Sequence, residues 1–409
     1  YMQQRLFAKS NLREQLFYYP LYHWFFRKAG DIMSDEQYMR QALALAEQAR
    51  GATSPNPLVG ALIVKNGAVV GRGWHQQAGM PHAEIHALAD AGHQAHGACI
   101  YVTLEPCSHH GRTGPCTEAL IRAGVHRVVA AMTDPNPAVS GQGFRQLREA
   151  GVEVVEGVLA HEAVRQNDIF LTWITTGKPL IALKTAMTLD GKIATANGDS
   201  RWITCAESRQ FVHQLRSQYD SVLVGIGTVL ADNPQLTNRT SDGGKNPIRI
   251  VLDSQARTPL DYHVIADGQA PTIIVVAEDA PPDRVKALQL AGADILAMPR
   301  KRDRIDLPLL LAELGRRSIT SILVEGGGAV NGSFIDDGLA DKVYWFIAPK
   351  LTGGSCAPGP VGGQGVDKMD EAHQLEEMVW QPIGSDILLT AYFTERKGRH
   401  VYRTCGRIG

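Results

Sequence analysis

The chain has 409 residues, of which 44% are hydrophobic and 20% charged, and its formal net charge is −1. These values are typical of a soluble globular protein, and the length predicts two or three domains. The near-zero charge argues against broad attraction to nucleic acid or anionic membrane, and six cysteines in so long a chain do not form a disulfide scaffold.

The first 32 residues differ from the rest of the chain. An aromatic-rich run, LFYYPLYHWFF, occupies 16–26 but lacks the small-residue cleavage site of a secretory signal. Because Met33 is a natural start, we expect residues 1–32 to be an upstream extension outside the fold; a targeting peptide and a partner-docking segment remain alternatives. No stretch of 18 apolar residues is present, so we expect no membrane span and a cytoplasmic location.

Helices and strands alternate from residue 33 to 178. Helices are predicted to begin at Asp35, His82 and Cys116, and a further helix spans 161–179 and stops at Gly177. Asn66-Gly67 predicts a hairpin. Strands are predicted at 61–65, 99–106, 127–135 and 152–159. This alternation predicts a layered α/β domain with a largely parallel sheet.

A second α/β domain is predicted from 179 to 396, followed by a basic tail at 397–409. It contains about eight apolar strand segments, one of which is SVLVGIGTVL at 221–230. A glycine cluster, VEGGGAVNGSF, lies at 324–334 between a strand and a helix. Its bare N–H groups can bind a cofactor pyrophosphate, although an ordinary tight turn would also explain it. No Rossmann fingerprint follows a strand.

The stretch that carries chemistry runs from 81 to 116 and contains PHAEIHAL and TLEPCSHHGRTGPC. His82, Cys107 and Cys116 can bind one zinc ion and leave its fourth position for water. Glu84 can face that water without being a ligand. Zinc lowers the pKa of its bound water, and a nearby carboxylate can carry protons from that water to a leaving amine. The pattern therefore predicts hydrolytic deamination.

Other interpretations stay open. His109 or His110 could close a structural zinc site, and Cys107 and Cys116 could form a disulfide, although cytosolic disulfides are rare. A nucleic-acid-editing deaminase would need a basic groove or stacking aromatics, which the net charge does not favour. A non-enzymatic zinc-stabilised binding protein would have no use for Glu84.

The zinc-deaminase pattern H-x-E followed by P-C is present, but the second cysteine comes after eight residues and not two. With this insertion, TLEPCSHHGRTGPC resembles the bifunctional riboflavin-biosynthesis deaminase/reductase family. LKTAMTLDGKIA, SRWIT, VGIGTVLADNPQLTNR, RIVLDS and LVEGGG follow in the order found in the reductase of that pathway.

The resemblance implies an α/β protein with a cytidine-deaminase-like three-layer domain at 33–178 and a dihydrofolate-reductase-like domain at 179–396. It also implies one zinc ion per chain, NADPH, and a homo-oligomer without nucleic-acid or membrane partners. The implied reactions are hydrolysis of the 2-amino group of 2,5-diamino-6-ribosylamino-4(3H)-pyrimidinone 5′-phosphate and then reduction of the ribosyl group to ribityl.

Individual site residues are also implied by the resemblance. Glu84 would be catalytic, and Asn56, His75 and the SHHGRT loop would line the pyrimidine and phosphate pocket. Cofactor contacts are implied at Ala186, Trp202, Thr228, Asp232, Ser254, Gly326, Gly327 and Gly328. Substrate contacts are implied at Lys184, Ser200, Arg216, Leu236, Arg239 and Glu325. The two arginines suit a phosphate because guanidinium binds it bidentately, although surface salt bridges would be commoner roles.

Overall fold

The computed structural model describes residues 33–109, 114–136, 139–240 and 243–394. The predicted extension at 1–32, the basic tail at 397–409 and His110 lie outside the described residues. From Asp35 onward the chain forms one compact unit that contains two large sheets. Within the described ranges, no helix is long and apolar enough to cross a membrane.

The first sheet belongs to the N-terminal part of the chain. Its elements are α1 (Asp35–Glu47), β1 (Gly60–Lys65), β2 (Ala68–Trp74), α2 (Ala83–Ala91), β3 (Cys99–Val102), α3 (Cys116–Arg122), β4 (Arg127–Ala130), α4 (Gln142–Glu149) and β5 (Glu153–Val155). The strand order is β2-β1-β3-β4-β5. Apolar side chains of α2, α3 and α4 form one core with one face of this sheet, and α1 packs against Tyr101 on the other face.

This sheet is mixed, and the prediction of a largely parallel sheet was wrong for its first strands. β1 pairs antiparallel with both β2 and β3, whereas β3, β4 and β5 are parallel. The predicted hairpin at Asn66-Gly67 is confirmed, and both residues have positive φ. A two-residue turn can join only antiparallel neighbours, so the hairpin itself imposes the mixed topology.

Helix α2 lies directly against β2. A Cβ atom at Gly73 would lie 2.2 Å from the carbonyl oxygen of Ala83, so only glycine permits this approach. Because His82 precedes the helix and Glu84 lies in its first turn, the close packing places both side chains at one end of the sheet.

The predicted helix at 161–179 is in fact two helices, α5 (Ala160–Gln166) and α6 (Asp168–Thr176). The break lies at Asn167, whose side chain accepts from Leu58 N (2.8 Å) and donates to Leu58 O (3.0 Å). At this residue the backbone (φ −105°, ψ 22°) departs from α-helical geometry, and the two bonds fix its side chain to Leu58. The predicted stop at Gly177 is confirmed, with φ 68°.

The second sheet is larger and mainly parallel. Its strands are β6 (Leu180–Thr188), β7 (Ser221–Gly225), β8 (Ile248–Leu252), β9 (Thr272–Ala277), β10 (Asp294–Met298), β13 (Ser321–Val324), β14 (Lys342–Ala348), β15 (Leu375–Ile383) and β16 (Asp386–Phe393). Their order in the sheet is β10-β9-β8-β7-β13-β6-β14-β16-β15. A separate small ribbon is formed by β11 (Arg300–Lys301) and β12 (Arg304–Ile305). Only the pairings of β16 with β14 and β15 are antiparallel within the sheet.

Helices cover both faces of this sheet, and buried apolar clusters fill both sides. The helices are α7 (Ala206–Gln218), α8 (Ile226–Asp232), α9 (His263–Ala266), α10 (Pro282–Leu290), α11 (Leu307–Arg316) and α12 (Gly328–Asp336). The strand predicted at 221–230 ends at Gly225, because the following residues form α8 and bury Ile226 and Val229 at helical spacing. Strand β15 was not predicted, since an edge strand with exposed side chains shows no simple apolar alternation.

The two sheets are joined through α5 and α6. Asp168 in α6 pairs with Lys342 in β14 at 3.0 Å and accepts a hydrogen bond from Tyr392 in β16 at 2.8 Å. Trp173 donates its indole N–H to the carbonyl oxygen of Gly315 at 3.2 Å. Polar groups that are shielded from water must be paired, so these contacts favour one arrangement of the two parts.

Candidate functional site

The structure brings the three predicted zinc ligands together. The ligating atoms of His82, Cys107 and Cys116 lie within 4.8 Å of one another. His82 Nδ1 lies 3.3 Å from the sulfur of Cys116 and 3.4 Å from that of Cys107, and the backbone N–H of Cys116 donates to the sulfur of Cys107 at 3.3 Å. Hydrogen bonds from Cys116 and His82 lower the pKa of Cys107, which favours the thiolate that a metal needs.

Glu84 lies beside these ligands and is only 3% exposed. Burial raises the pKa of its carboxyl group. A carboxyl group with a raised pKa at the edge of a metal site can both accept and release a proton. The donor set of one imidazole and two sulfur atoms fits zinc and leaves a coordination position open.

Asn56 and His75 also lie at this site. The amide nitrogen of Asn56 lies 3.1 Å from His75 Nε2, and His75 Nδ1 lies 3.2 Å from the carbonyl oxygen of Pro81. The second contact requires the proton on Nδ1, so Nε2 accepts from Asn56. Burial lowers the pKa of His75, which favours the neutral ring. The rings of His75 and His82 meet edge to face with centroids 5.7 Å apart.

The alternatives for this motif can be compared with the geometry. Cys107 and Cys116 are free thiols, and nothing supports the disulfide. Among the described residues, the cluster of potential metal ligands contains neither His109 nor His86. His110 and most of the SHHGRT loop lie outside the described residues, so their role as pocket lining stays a prediction.

Glu105 is a buried support of the site that the sequence interpretation missed. One carboxylate oxygen accepts from the backbone N–H groups of Asp134 (3.0 Å) and Gly141 (2.9 Å), and the other accepts from those of Gly143 (2.8 Å) and Phe144 (3.4 Å). Glu105 thereby holds Asp134 and residues 141–144 against the chain that leads to Cys107. A carboxylate directly before Pro106-Cys107, at the end of an apolar strand, was the available signal.

The predicted reductase residues gather at one edge of the second sheet. They follow the carboxyl ends of β7, β8 and β13, which are parallel and therefore end at the same edge. Ligands of open α/β sheets bind at this edge. The residues concerned are Thr228 and Asp232 in α8, Ser254 after β8, and Glu325, Gly326, Gly327 and Gly328 after β13. A Cβ at Gly327 would lie 4.0 Å from the hydroxyl oxygen of Thr228, so these two residues face each other.

Glu325 is the centre of a buried charged cluster. Arg216 donates to it twice, from Nε at 2.6 Å and Nη2 at 3.0 Å, and Lys184 Nζ approaches it at 3.4 Å. Burial raises the pKa of Glu325, but the charges of Arg216 and Lys184 outweigh this effect and hold the pKa at about 2. Lys184, Arg216 and Glu325, which were predicted to contact the substrate, therefore form one connected polar cluster.

This cluster changes the interpretation of Arg216. Its Nη1 donates to the carbonyl oxygen of Thr237 at 3.1 Å, so each of the three guanidinium nitrogens already has a protein partner. Arg239 is exposed, and its Nη1 donates a hydrogen bond to the side-chain oxygen of Gln235 at 2.9 Å. Arg239 is therefore the better placed of the two for a phosphate group.

His213, one turn before Arg216 on α7, was not predicted. It contacts the carbonyl oxygen of Thr237 at 3.2 Å through Nδ1. Burial, together with the nearby charges of Arg216 and Arg239, lowers the pKa of His213 to about 4 and keeps it neutral. Its spacing of three residues from Arg216 places it on the same helix face, which was the signal in the sequence.

The remaining predicted contacts lie in β6, in the loop after β6, and at or just after the end of α8. Trp202 is 63% exposed and stacks under the guanidinium of Arg209, 4.6 Å from the ring centre. Asp232 accepts from Arg201 through its carbonyl oxygen at 3.1 Å. Ala186 lies in β6, Ser200 is partly exposed in the following loop, and Leu236 is buried with a positive φ of 52°.

Comparisons with known proteins agree over both halves of the chain. Residues 32–132 match the cytidine and deoxycytidylate deaminase zinc-binding region, and residues 179–389 match the RibD C-terminal domain. The chain is 46% identical to the riboflavin biosynthesis protein RibD of Actinobacillus pleuropneumoniae over 87% of its own length and 95% of that protein. It is 45% identical to the RibD of Bacillus amyloliquefaciens, over 90% of its own length and 99% of the relative.

Solved structures are similar over the same extent. RibD of Acinetobacter baumannii superposes with a TM-score of 0.78 at 36% identity, covering 88% of this chain and 99% of the other. A diaminohydroxyphosphoribosylaminopyrimidine deaminase/5-amino-6-(5-phosphoribosylamino)uracil reductase of Thermotoga maritima superposes with a TM-score of 0.77 at 37% identity, covering 88% and 98%.

Proposed function

Since the chain belongs to the RibD family of riboflavin-biosynthesis proteins, we propose that it performs two consecutive steps on one pyrimidine ribosyl phosphate. It is a bifunctional enzyme of riboflavin biosynthesis, in which a cytidine-deaminase-like domain precedes a reductase domain. The proposed substrate is 2,5-diamino-6-ribosylamino-4(3H)-pyrimidinone 5′-phosphate. The proposed domain limits are 33–178 and 179–396.

In the first step, His82, Cys107 and Cys116 would hold one zinc ion, which when bound lowers the pKa of a coordinated water toward neutrality. As water adds to the ring carbon that carries the 2-amino group, Glu84 would accept one proton from the water and deliver it to a ring nitrogen. Glu84 would then accept the second proton from the new hydroxyl group and deliver it to the amino group, which leaves as ammonia while the ring C=O forms. Its burial suits this role because a raised pKa brings the carboxyl group closer to working pH.

Asn56 and His75 would orient the pyrimidine. His75 is fixed by the carbonyl oxygen of Pro81 and accepts from the amide nitrogen of Asn56. The amide oxygen of Asn56 is thereby presented as an acceptor for an N–H group of the ring. A fixed acceptor orients a planar substrate at little cost in conformational entropy.

In the second step, NADPH when bound would supply a hydride to C1′ of the ribosyl group. The C1′–O4′ bond would break and O4′ would take up a proton from solvent, which gives the ribityl chain. Gly326, Gly327 and Gly328 would bind the cofactor pyrophosphate at the N-terminus of α12, where backbone N–H groups can donate hydrogen bonds to it. Ala186, Trp202, Thr228, Asp232 and Ser254 would complete the cofactor contacts.

The substrate would lie against the Glu325 cluster in this second step. Glu325 is ionised and oriented by Arg216 and Lys184, so it can accept hydrogen bonds from the hydroxyl groups of the sugar. Arg239 would bind the 5′-phosphate, and Ser200 and Leu236 would complete the pocket. We further propose a homo-oligomeric, cytoplasmic enzyme.

The observation that carries the deaminase assignment is the cluster of His82, Cys107 and Cys116 with the buried Glu84 beside it. The test follows ammonia release and NADPH oxidation in one cuvette with the diaminopyrimidine ribosyl phosphate. We expect ammonia first and then NADPH consumption that requires the deaminated product. A Glu84→Gln variant should keep its zinc but lose ammonia release; unchanged ammonia release would refute the assignment.

A further inference from the structure

A carboxylate of the reductase half reaches into the deaminase half. Asp220 lies between α7 and β7, and one of its oxygens accepts from Ser54 Oγ at 2.8 Å. The same oxygen accepts from the backbone N–H (2.9 Å) and the hydroxyl group (2.7 Å) of Thr320. Its other oxygen accepts from Lys245 at 2.9 Å. Asp220 therefore connects Ser54 to the second sheet.

Ser54 belongs to the turn that carries Asn56. The backbone N–H of Asn56 donates to the carbonyl oxygen of Thr53 at 2.8 Å and closes this turn around Ser54. The side-chain amide of Asn56, at the end of this turn, contacts His75. A short chain of hydrogen bonds thus runs from Asp220 through Ser54 and the turn to Asn56 and His75, which packs against His82.

The start of the same loop also rests on the reductase half. A Cβ at Gly51 would lie 2.3 Å from the carbonyl oxygen of Ser217, and the φ of Gly51 is +86°, so glycine is required there twice over. Gln218 and Thr320 line a cavity of about 40 Å³ together with Arg50, Thr53 and Asn56. The reductase half therefore contacts this loop at Gly51 as well as at Ser54.

We propose that Asp220 is a positioning residue for deamination, acting through Ser54 on Asn56. The proposal rests on the proposed role of Asn56 as a substrate contact. If Asp220 has this role, the deaminase site is complete only when the reductase half is packed against the deaminase half. A hydrogen bond to a charged acceptor contributes more than a neutral one, so losing it frees the turn and the side chain of Asn56.

The test compares Ser54→Ala, Asn56→Ala and the double variant in the full-length enzyme loaded with zinc. Ser54→Ala should raise the KM for the diaminopyrimidine in ammonia release about tenfold, because one charge-assisted hydrogen bond is lost. The kcat, the zinc content and the rate of NADPH oxidation with previously deaminated substrate should stay at wild-type values. In the Asn56→Ala background, Ser54→Ala should have no further effect, because both changes act through one contact.

Lys245→Ala is the matched control, since it removes an exposed ion pair from the same carboxylate and leaves Ser54 in place; its KM should not change. An unchanged KM in Ser54→Ala, with a raised KM in Asn56→Ala, would overturn the positioning role and leave the substrate contact intact. An unchanged KM in Asn56→Ala would refute that contact and the proposal with it. A fall in kcat with loss of zinc would show a merely structural role and also overturn it.

Discussion

The Glu105→Gln substitution should lower the free energy of unfolding of the deaminase half and its affinity for zinc. The carboxylate is buried and accepts from four backbone N–H groups, two on each oxygen. A glutamine keeps one oxygen and turns an NH₂ group toward the other pair of donors. Each unsatisfied buried donor costs about 1–3 kcal/mol, so two of them should cost about 2–6 kcal/mol. Groups that support metal ligands change metal affinity by about 10–100-fold.

Two measurements check this prediction. Urea unfolding followed by fluorescence should show an earlier transition for the deaminase half, and competition with a chromophoric chelator should show weaker zinc binding. The control is Glu153→Gln on β5, where an exposed ion pair with Arg127 is worth about 0–1 kcal/mol. If Glu105→Gln unfolds like the control and retains zinc equally well, the inference that Glu105 holds the segment beneath Cys107 is wrong.

Three further predictions concern single side chains. Cys116→Ser should abolish zinc binding and ammonia release, because a serine hydroxyl is not ionised at neutral pH, while NADPH oxidation with previously deaminated substrate continues; loss of both activities would contradict it. Arg239→Ala should raise the KM for the deaminated substrate in NADPH oxidation at least about tenfold and leave the KM for NADPH unchanged. Arg284→Ala, which changes an exposed arginine elsewhere, should change neither KM. Equal effects of the two variants would exclude a phosphate contact at Arg239. The pKa of Glu325 is lowered from its ordinary value of 4.5 to about 2, so its ionisation stabilises the fold fully above pH 4.5 and this contribution is lost as the pH falls toward 2. The difference in thermal unfolding midpoint between wild type and Glu325→Gln should therefore shrink below pH 4.5, and a difference that stays constant from pH 6 to 3 would refute this.

The zinc site was predictable because its chemistry depends on residue types at short spacing. His82 and Glu84 are two residues apart at the start of one helix, and Cys107 and Cys116 flank one loop. Backbone geometry alone limits how far such groups can separate. The hairpin at Asn66-Gly67 and the stop at Gly177 were predictable for the same reason, since each depends on local φ preferences.

The second site was less predictable because its residues come from separate strands and helices. Arg216 and Glu325 lie 109 positions apart, and only the sheet order β7-β13-β6 brings them together with Lys184. Their mutual pairing gave Arg216 a protein partner where a substrate phosphate was expected. Motif order identified the residues, but it could not show which of them were already satisfied by one another.

Local pattern thus determined the alternation of helices and strands, the clustered residues His82, Cys107 and Cys116, and the identity of the family. Tertiary structure alone decided the contact of Asn167 with Leu58, whose backbone N–H and C=O both pair with the Asn167 amide at the break between α5 and α6. It also decided the contact between Ser54 and Asp220, which are 166 positions apart. A buried polar group must find a partner wherever the fold brings one within reach, and a linear sequence does not specify which distant group that will be.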